Sequence, residues 1–247
     1  MFSARTTQSG KLKALFDVLF SNTQDVMLTI SKTGIESEIT TINDVNICVN
    51  LPSDKFEEYE FTFDEPLYIG LGSHVNTFFK SLKNKTVVTL SITKQYILDV
   101  CLVCDDCSIT YSASYICAQN ISPLHAHDYD TGKAFYISSA MFNSMCKSFS
   151  KTNTVLATKS EGQLSFSFEL AGIASKTLTF GHKDQTHQPS YVCRFKSDPF
   201  VRIGKLSSFA SKPIKMCAES DKPLLILTES TLGTVRVAMS TDNTDYE

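Results

Sequence analysis

Residues 164–170 read Leu-Ser-Phe-Ser-Phe-Glu-Leu, and this stretch decides the fold class. Leu164, Phe166, Phe168 and Leu170 occupy alternate positions, with Ser165, Ser167 and Glu169 between them. Successive side chains of a strand point to opposite faces, so the segment buries one face and wets the other. That is the habit of an antiparallel sheet covered on one side only. The same alternation recurs at Val45, Ile47, Val49 and Leu51, at Tyr59, Phe61 and Phe63, at Val88, Leu90 and Ile92, and at Val235, Val237 and Met239.

Between these strands lie four segments of helical spacing. Leu12, Leu15, Phe16 and Leu19 stand at i, i+3, i+4 and i+7, and Val75, Phe78, Phe79 and Leu82 repeat the pattern. So do Phe142, Met145, Cys146 and Phe149. The fourth segment carries Ile203, Leu206 and Ala210 behind Asp198-Pro199, which reads as an N-cap followed by proline at the first helical position. Each apolar stripe lets one helix lie on a sheet.

The order is helix, strands, helix, strands, and then the same again. Residues 119–133, QNISPLHAHDYDTGK, follow neither period and contain Pro123 and Gly132. They read as a connector between two similar domains, 1–118 and 134–247. The class is α+β, each domain holding antiparallel sheets and two helices.

Hydrophobic residues at 42% and charged ones at 20% place the chain among globular proteins. No apolar run approaches the ~20 residues of a membrane helix. Lys11, Lys13 and Asp17 interrupt any secretory core at the start. The eight cysteines are scattered through apolar, strand-like stretches, where a reducing compartment leaves them as small buried hydrophobes.

The net charge of −3 argues against a polyanionic partner until it is sorted by position. Windows 8–21, 72–85, 138–151 and 198–212 hold ten Lys or Arg and two acids, a sum of +8, so the remainder carries −11. Lys80 and Lys147 each follow the first stripe residue of their helix by five positions, about 140° round the wheel, and face away from the sheet. A single amphipathic helix would have such a solvated outer face anyway. Four with one sign of charge, in a chain otherwise acidic, suit phosphate contacts that position DNA without reading its sequence.

At this point the residues carry a likeness. The opening Met1-Phe2-Ser3-Ala4-Arg5 runs into a helix. Met27 to Leu51 follows, with Ser31-Lys32-Thr33-Gly34-Ile35 as its turn and Asp44-Val45 further on. Near the end comes SDKPLLILTE from Ser220 to Glu229, then Leu232-Gly233 and the strand to Met239. In spacing and order these resemble the proliferating cell nuclear antigen family, the eukaryotic-type DNA sliding clamps. The likeness is clear at both ends and thin across 95–135 and 171–200. It implies the DNA-clamp fold and a homotrimeric ring around duplex DNA, a polymerase processivity factor without enzymatic activity or cofactor. Sheets would form the outer wall and helices would line the hole. Edge strands near Ile109 to Cys117 and Ser175 to His182 would pair between subunits.

The DNA-facing cations would be Lys11, Lys13, Lys80, Lys83, Lys147, Lys151, Arg202, Lys205 and Lys212. Polymerase and other clients would insert apolar and aromatic anchors into a groove beneath the connector. The positions matching that groove are Thr40, Asp44, Val45, Ile47, Leu124, His125, Pro223 and Met239. Loading needs a separate ATP-driven loader, since no nucleotide-binding motif occurs here. The expected location is the nucleus, or a cytoplasmic replication site for a viral member, and the divergence fits a large DNA virus. A subunit of the heterotrimeric checkpoint clamp and a monomeric viral processivity factor are the alternatives within this fold. Lys159 lies near the lysine that the family uses for ubiquitin-type modification, although solvation alone accounts for a lysine there.

The rival chemistry is a metal site or a Cys–His enzyme. Cys101, Cys104 and Cys107 form a C-x2-C-x2-C run containing Asp105 and Asp106, and His125 with His127 could complete it. Such a site ordinarily needs a fourth ligand in a paired cluster. YILDVCLVC reads instead as a strand and CDDC as the turn out of it, which sends Cys101 and Cys104 to opposite faces. No metal and no catalytic residue is assigned.

Overall fold

A computed structural model describes residues 1–41, 45–83, 86–104, 107–117, 129, 134–160, 162–170, 172, 174–181 and 190–241. Most of the connector lies outside these residues, as do Asp44, Lys85, Asp105, Asp106, Leu124, His125 and His127.

Strand β1 (Phe2–Thr6) leads into α1 (Ser9–Asn22). Strands β2 (Asp25–Ser31), β3 (Gly34–Thr40), β4 (Val45–Pro52), β5 (Glu58–Phe61) and β6 (Leu67–Gly72) follow. A 3-10 turn at Ser73–Val75 runs into α2 (Asn76–Lys80), and then come β7 (Val87–Lys94), β8 (Ile97–Cys104), β9 (Cys107–Ser114) and β10 (Ile116–Cys117). The second half opens with β11 (Phe135–Ile137), α3 (Ser139–Phe149), β12 (Thr154–Ser160), β13 (Gln163–Leu170), β14 (Ala174–Gly181) and β15 (Tyr191–Lys196). It closes with α4 (Asp198–Ile203), α5 (Leu206–Phe209), β16 (Ile214–Cys217), β17 (Leu224–Glu229) and β18 (Thr234–Met239).

Among the described residues every pairing is antiparallel. Among the described residues a five-stranded sheet has the order β5-β1-β7-β8-β9 and a four-stranded sheet the order β14-β13-β12-β15. A nine-stranded sheet, also among the described residues, runs β10-β6-β2-β3-β4-β18-β17-β16-β11. The halves are therefore fused through one ladder, from Val45↔Met239 to Asn50↔Thr234. β9 and β14 are sheet edges, where the two proposed pairing stretches were expected.

The helices cover one face, and their apolar stripes join the inward-facing strand residues in one core. Leu12, Leu15, Phe16 and Leu19 are buried, as are Phe142, Met145, Cys146 and Phe149. The start of α3 is secured by Ser138, whose Oγ accepts the Met141 N–H at 3.2 Å.

Two helices are shorter than their windows. Residues 72–85 yield the 3-10 turn and a five-residue α2. Ser73, Val75, Asn76 and Thr77 are weak helix formers, and the stripe is carried by fully buried Val75 and Phe79 with Leu82 beyond the helix end. The 198–212 window divides into α4 and α5 at Gly204-Lys205. Gly204 is buried, and a Cβ there would come within 3.2 Å of Cys146 Cβ, so its missing side chain permits the close approach to α3. Asp198 is the first residue of α4 rather than its N-cap. Ser197 holds the cap position, and its Oγ donates to the Thr152 carbonyl instead of capping. Among the described residues, no helix is long and apolar enough to cross a membrane.

Candidate nucleic-acid interface and outer-face groove

The helices form a row. α1 packs on α2 at one side and on α4 and α5 at the other, and α3 packs on α4 and α5 beyond. At one end of the row Phe78 of α2 stacks on Tyr111 of β9, with ring centroids 4.6 Å apart. At the other end Lys176 of β14 donates to Ser148 Oγ of α3 at 3.2 Å. The basic helix row thus lies between two open sheet edges.

The nine expected DNA-facing cations do not behave alike. Lys80, Lys83, Lys147, Lys151 and Lys205 are exposed, and none makes an ion pair among the described residues. Lys11 and Lys13 are joints instead. Lys11 Nζ donates to the carbonyls of Ser208 (3.1 Å) and Ala210 (2.7 Å), which ties the start of α1 to the end of α5. Burial lowers its pKa. Lys13 Nζ donates to the carbonyls of Lys80 (2.7 Å) and Leu82 (3.1 Å) at the end of α2. The last carbonyls of a helix lack intrahelical partners, and a cation there also complements the helix dipole.

Arg202 pairs with Asp198 at 2.8 Å and donates to the Ser21 carbonyl at 3.3 Å, so its charge is balanced locally. Lys212 lies past the end of α5 and pairs with Glu229 at 2.7 Å. Lys215 holds the same carboxylate at 2.7 Å. The two lysines, Lys212 first, bring the Glu229 pKa down to about 2.

Lys176 is a cation that helix windows miss. It is exposed and stands opposite Phe168, on the helix-side face of the edge strand. Its signal in the sequence was parity with Leu178 and Phe180, the alternate residues of a strand rather than a helix.

The outer face corrects the expected groove. Val45, Ile47 and Met239 are 1%, 0% and 1% exposed. They lie on the helix-facing side, where Val45 pairs with Met239 and Ile47 with Val237. The period of two places their neighbours outside: Asn46 opposite Ala238, and Cys48 opposite Arg236. Thr40 is on that outer side and exposed. Asn46 Nδ2 donates to Glu38 Oε1 at 3.2 Å and to Thr40 Oγ1 at 3.4 Å. The Cys48 Sγ–H donates to Asn46 Oδ1 at 2.9 Å, and burial, with help from Glu38, pushes this thiol up to about 11. Pro223 is half-buried, and its carbonyl accepts the Tyr129 hydroxyl at 2.8 Å. Among the described residues this part of the outer face therefore presents Thr40, Asn46, Cys48, Arg236 and Ala238, with Pro223 at the start of β17.

Lys159 is not a plain solvated side chain. Its Nζ donates to the Ala218 carbonyl at 2.7 Å and sits 5.9 Å from the Phe135 ring centroid. Cys104 and Cys107 are register partners closing the β8–β9 hairpin, with Cys101 further along β8. Among the described residues no group of three His, Cys, Asp or Glu side chains could hold a metal ion.

Antiparallel sheets in two like halves, fused through one ladder and covered on one face by a row of helices, define the sliding-clamp fold. The chain matches proliferating cell nuclear antigen from Entamoeba histolytica with a TM-score of 0.83, over 98% of each chain and at 14% identity. In sequence it is 24% identical over 246 residues to "Uncharacterized protein 084R" of Frog virus 3 (isolate Goorha), spanning 97% of this chain and 98% of that one. No protein-family model matches the sequence.

Proposed function

We propose that this protein is a DNA polymerase processivity factor: one subunit of a homotrimeric sliding clamp that encircles duplex DNA and tethers replication and repair proteins to it. The observation that carries the reading is the basic helix row with an open sheet edge at each end. On the helix side β9 offers Ile109 and Tyr111, and β14 offers Leu178 and Phe180. Pairing β9 of one subunit with β14 of the next would continue the sheet, the apolar layer and the helix row together. It is a head-to-tail contact, which closes into a ring when the rotation allows. It would also cover two edges that otherwise invite aggregation.

The mechanism is topological. A closed ring cannot leave DNA sideways, so weak, salt-screened phosphate contacts from Lys80, Lys83, Lys147, Lys151, Lys176 and Lys205 suffice and permit sliding. The ring does no chemistry; a separate loader opens it, and clients dock on the outer face. The site of action is wherever the genome is copied, the nucleus or a cytoplasmic replication site.

The test is solution mass, followed by retention on DNA after loading. Three copies per particle and retention on circular but not linearised DNA are expected. A stable monomer would overturn the ring and favour a monomeric processivity factor. Assembly only with two other chains would favour a checkpoint-clamp subunit.

A further inference from the structure

Three irregularities meet at the β7–β8 turn of the first half. The turn is Gln95-Tyr96, and Tyr96 takes a left-handed backbone with φ 63°. Glycine is the usual occupant of such a position, because a Cβ crowds the backbone there. The strand pairing is also uneven. Between the pairs Ser91↔Asp99 and Lys94↔Ile97, β7 has two residues, Ile92 and Thr93, where β8 has only Leu98. Neighbours on a regular strand point to opposite faces, but Ile92 and Thr93 line the same cavity, as a bulge allows.

That cavity is the third irregularity. It lies between the turn, the residue before β1 and the β6–β10 pair, and every residue lining it is described. Its volume is about 500 Å³, within the roughly 300–1,000 Å³ of small-molecule sites. Phe63, Leu67, Ile92, Tyr96 and Tyr115 make most of the wall. The Tyr115 amide donates to the Tyr96 carbonyl at 3.0 Å, and the two rings stand 6.1 Å apart at 55°. Tyr115 is 9% exposed, whereas Tyr96 is 49% exposed. The strained turn thus holds a large ring half in water at the rim, where core burial does little to offset the strain. Backbone strain of this kind gathers at ligand sites. Lys94 is the lone charged side chain in the wall, and no carboxylate lines the cavity. Lys94 is exposed and makes no ion pair among the described residues.

We propose that this cavity binds a small planar aromatic anion, with its rings among Tyr96, Tyr115 and Phe63 and its anionic group at Lys94. Aromatic walls favour a flat ring in offset or edge contact, and a cation at the rim selects for negative charge. The site is built within the first half of one chain. It uses neither the helix row nor the open edges β9 and β14, so it stands whether or not the chain forms a ring.

The experiment titrates 2-naphthoate against the full-length protein, with 2-naphthalenemethanol as its neutral counterpart. One naphthoate per chain is expected, and the alcohol should bind about threefold more weakly. Cys117 is an exposed thiol in the same wall, so bound naphthoate should slow its alkylation by iodoacetamide, read by peptide mass. Tyr96→Gly suits the left-handed turn and removes only the ring. Its affinity for naphthoate should fall about tenfold while its melting temperature stays close to the parent's. Lys94→Gln should weaken naphthoate about threefold and leave the alcohol unchanged. Because Lys94 is exposed, this variant tests the site even if Tyr96→Gly fails to fold. The absence of saturable binding, or Cys117 alkylation indifferent to naphthoate, would overturn the site. Equal naphthoate affinity in the parent and Tyr96→Gly would overturn it as well. Alcohol and naphthoate binding the parent equally would overturn the selection for an anion.

Discussion

Val45 and Met239 are paired across the ladder that joins the two halves of the chain, and each is 1% exposed on the helix-facing side of the sheet. The pair is a seam between the halves and does not reach the outer face. Val45→Asp would leave an unpaired carboxylate in that seam, a loss of about 3–5 kcal/mol. Thermal unfolding should show it as a large fall in melting temperature. Ala238→Asp, one position along and outside, should instead weaken peptide binding with little change in melting temperature.

The free cations of the helix row predict a separation of DNA contact from assembly. Replacing Lys80, Lys147 and Lys205 with Glu should abolish most stimulation of a polymerase while particle mass stays that of the parent. The slope of log affinity against log salt should flatten by about 0.9 for each phosphate contact that the ring loses. An unchanged slope would mean that these lysines do not face DNA.

Lys11 predicts the opposite phenotype. Lys11→Met keeps the aliphatic stem but removes the two bonds to the α5 carbonyls. Stability should fall by about 1–2 kcal/mol in denaturant titration, with the salt slope of DNA binding unchanged. A flattened slope would return Lys11 to the DNA-contacting set.

The open edges predict a soluble dissociated subunit. Ile109 is already 45% exposed within the single chain, and Leu178 is half-buried. Ile109→Asp with Leu178→Asp should lower particle mass to one subunit by light scattering. The melting temperature of that subunit should stay close to that of parent protein diluted until it dissociates.

Glu229 predicts a pH window. Its pKa is lowered from 4.5 to about 2, by Lys212 first and then Lys215. A carboxylate depressed on folding contributes stability above its unfolded pKa and loses it as pH falls through the folded one. The parent should therefore exceed Glu229→Gln by a constant margin above about pH 5, with the margin shrinking between about 4.5 and 2. Lys212 is 69% exposed, so solvent screening holds that margin to about 1 kcal/mol. A margin independent of pH down to 2 would contradict the ion pairs.

The sequence by itself determined the local order. A period of two in LSFSFEL and four apolar stripes at helical spacing are properties of neighbouring residues, and each was legible without a partner. So was the sign of the helix charges. Tertiary structure alone decided what those residues meet. Parity with Ile47, Val49 and Leu51 puts Val45 on the buried face of its strand and Asn46 on the wet one, but only pairing with β18, from the far end of the chain, shows that this buried face is the join between the two halves. Lys11 and Lys80 look equally basic on a helical wheel, yet one meets the orphan carbonyls of α5 and the other meets solvent. Those carbonyls are brought up by a contact between the two halves, and no periodicity within a single helix records it.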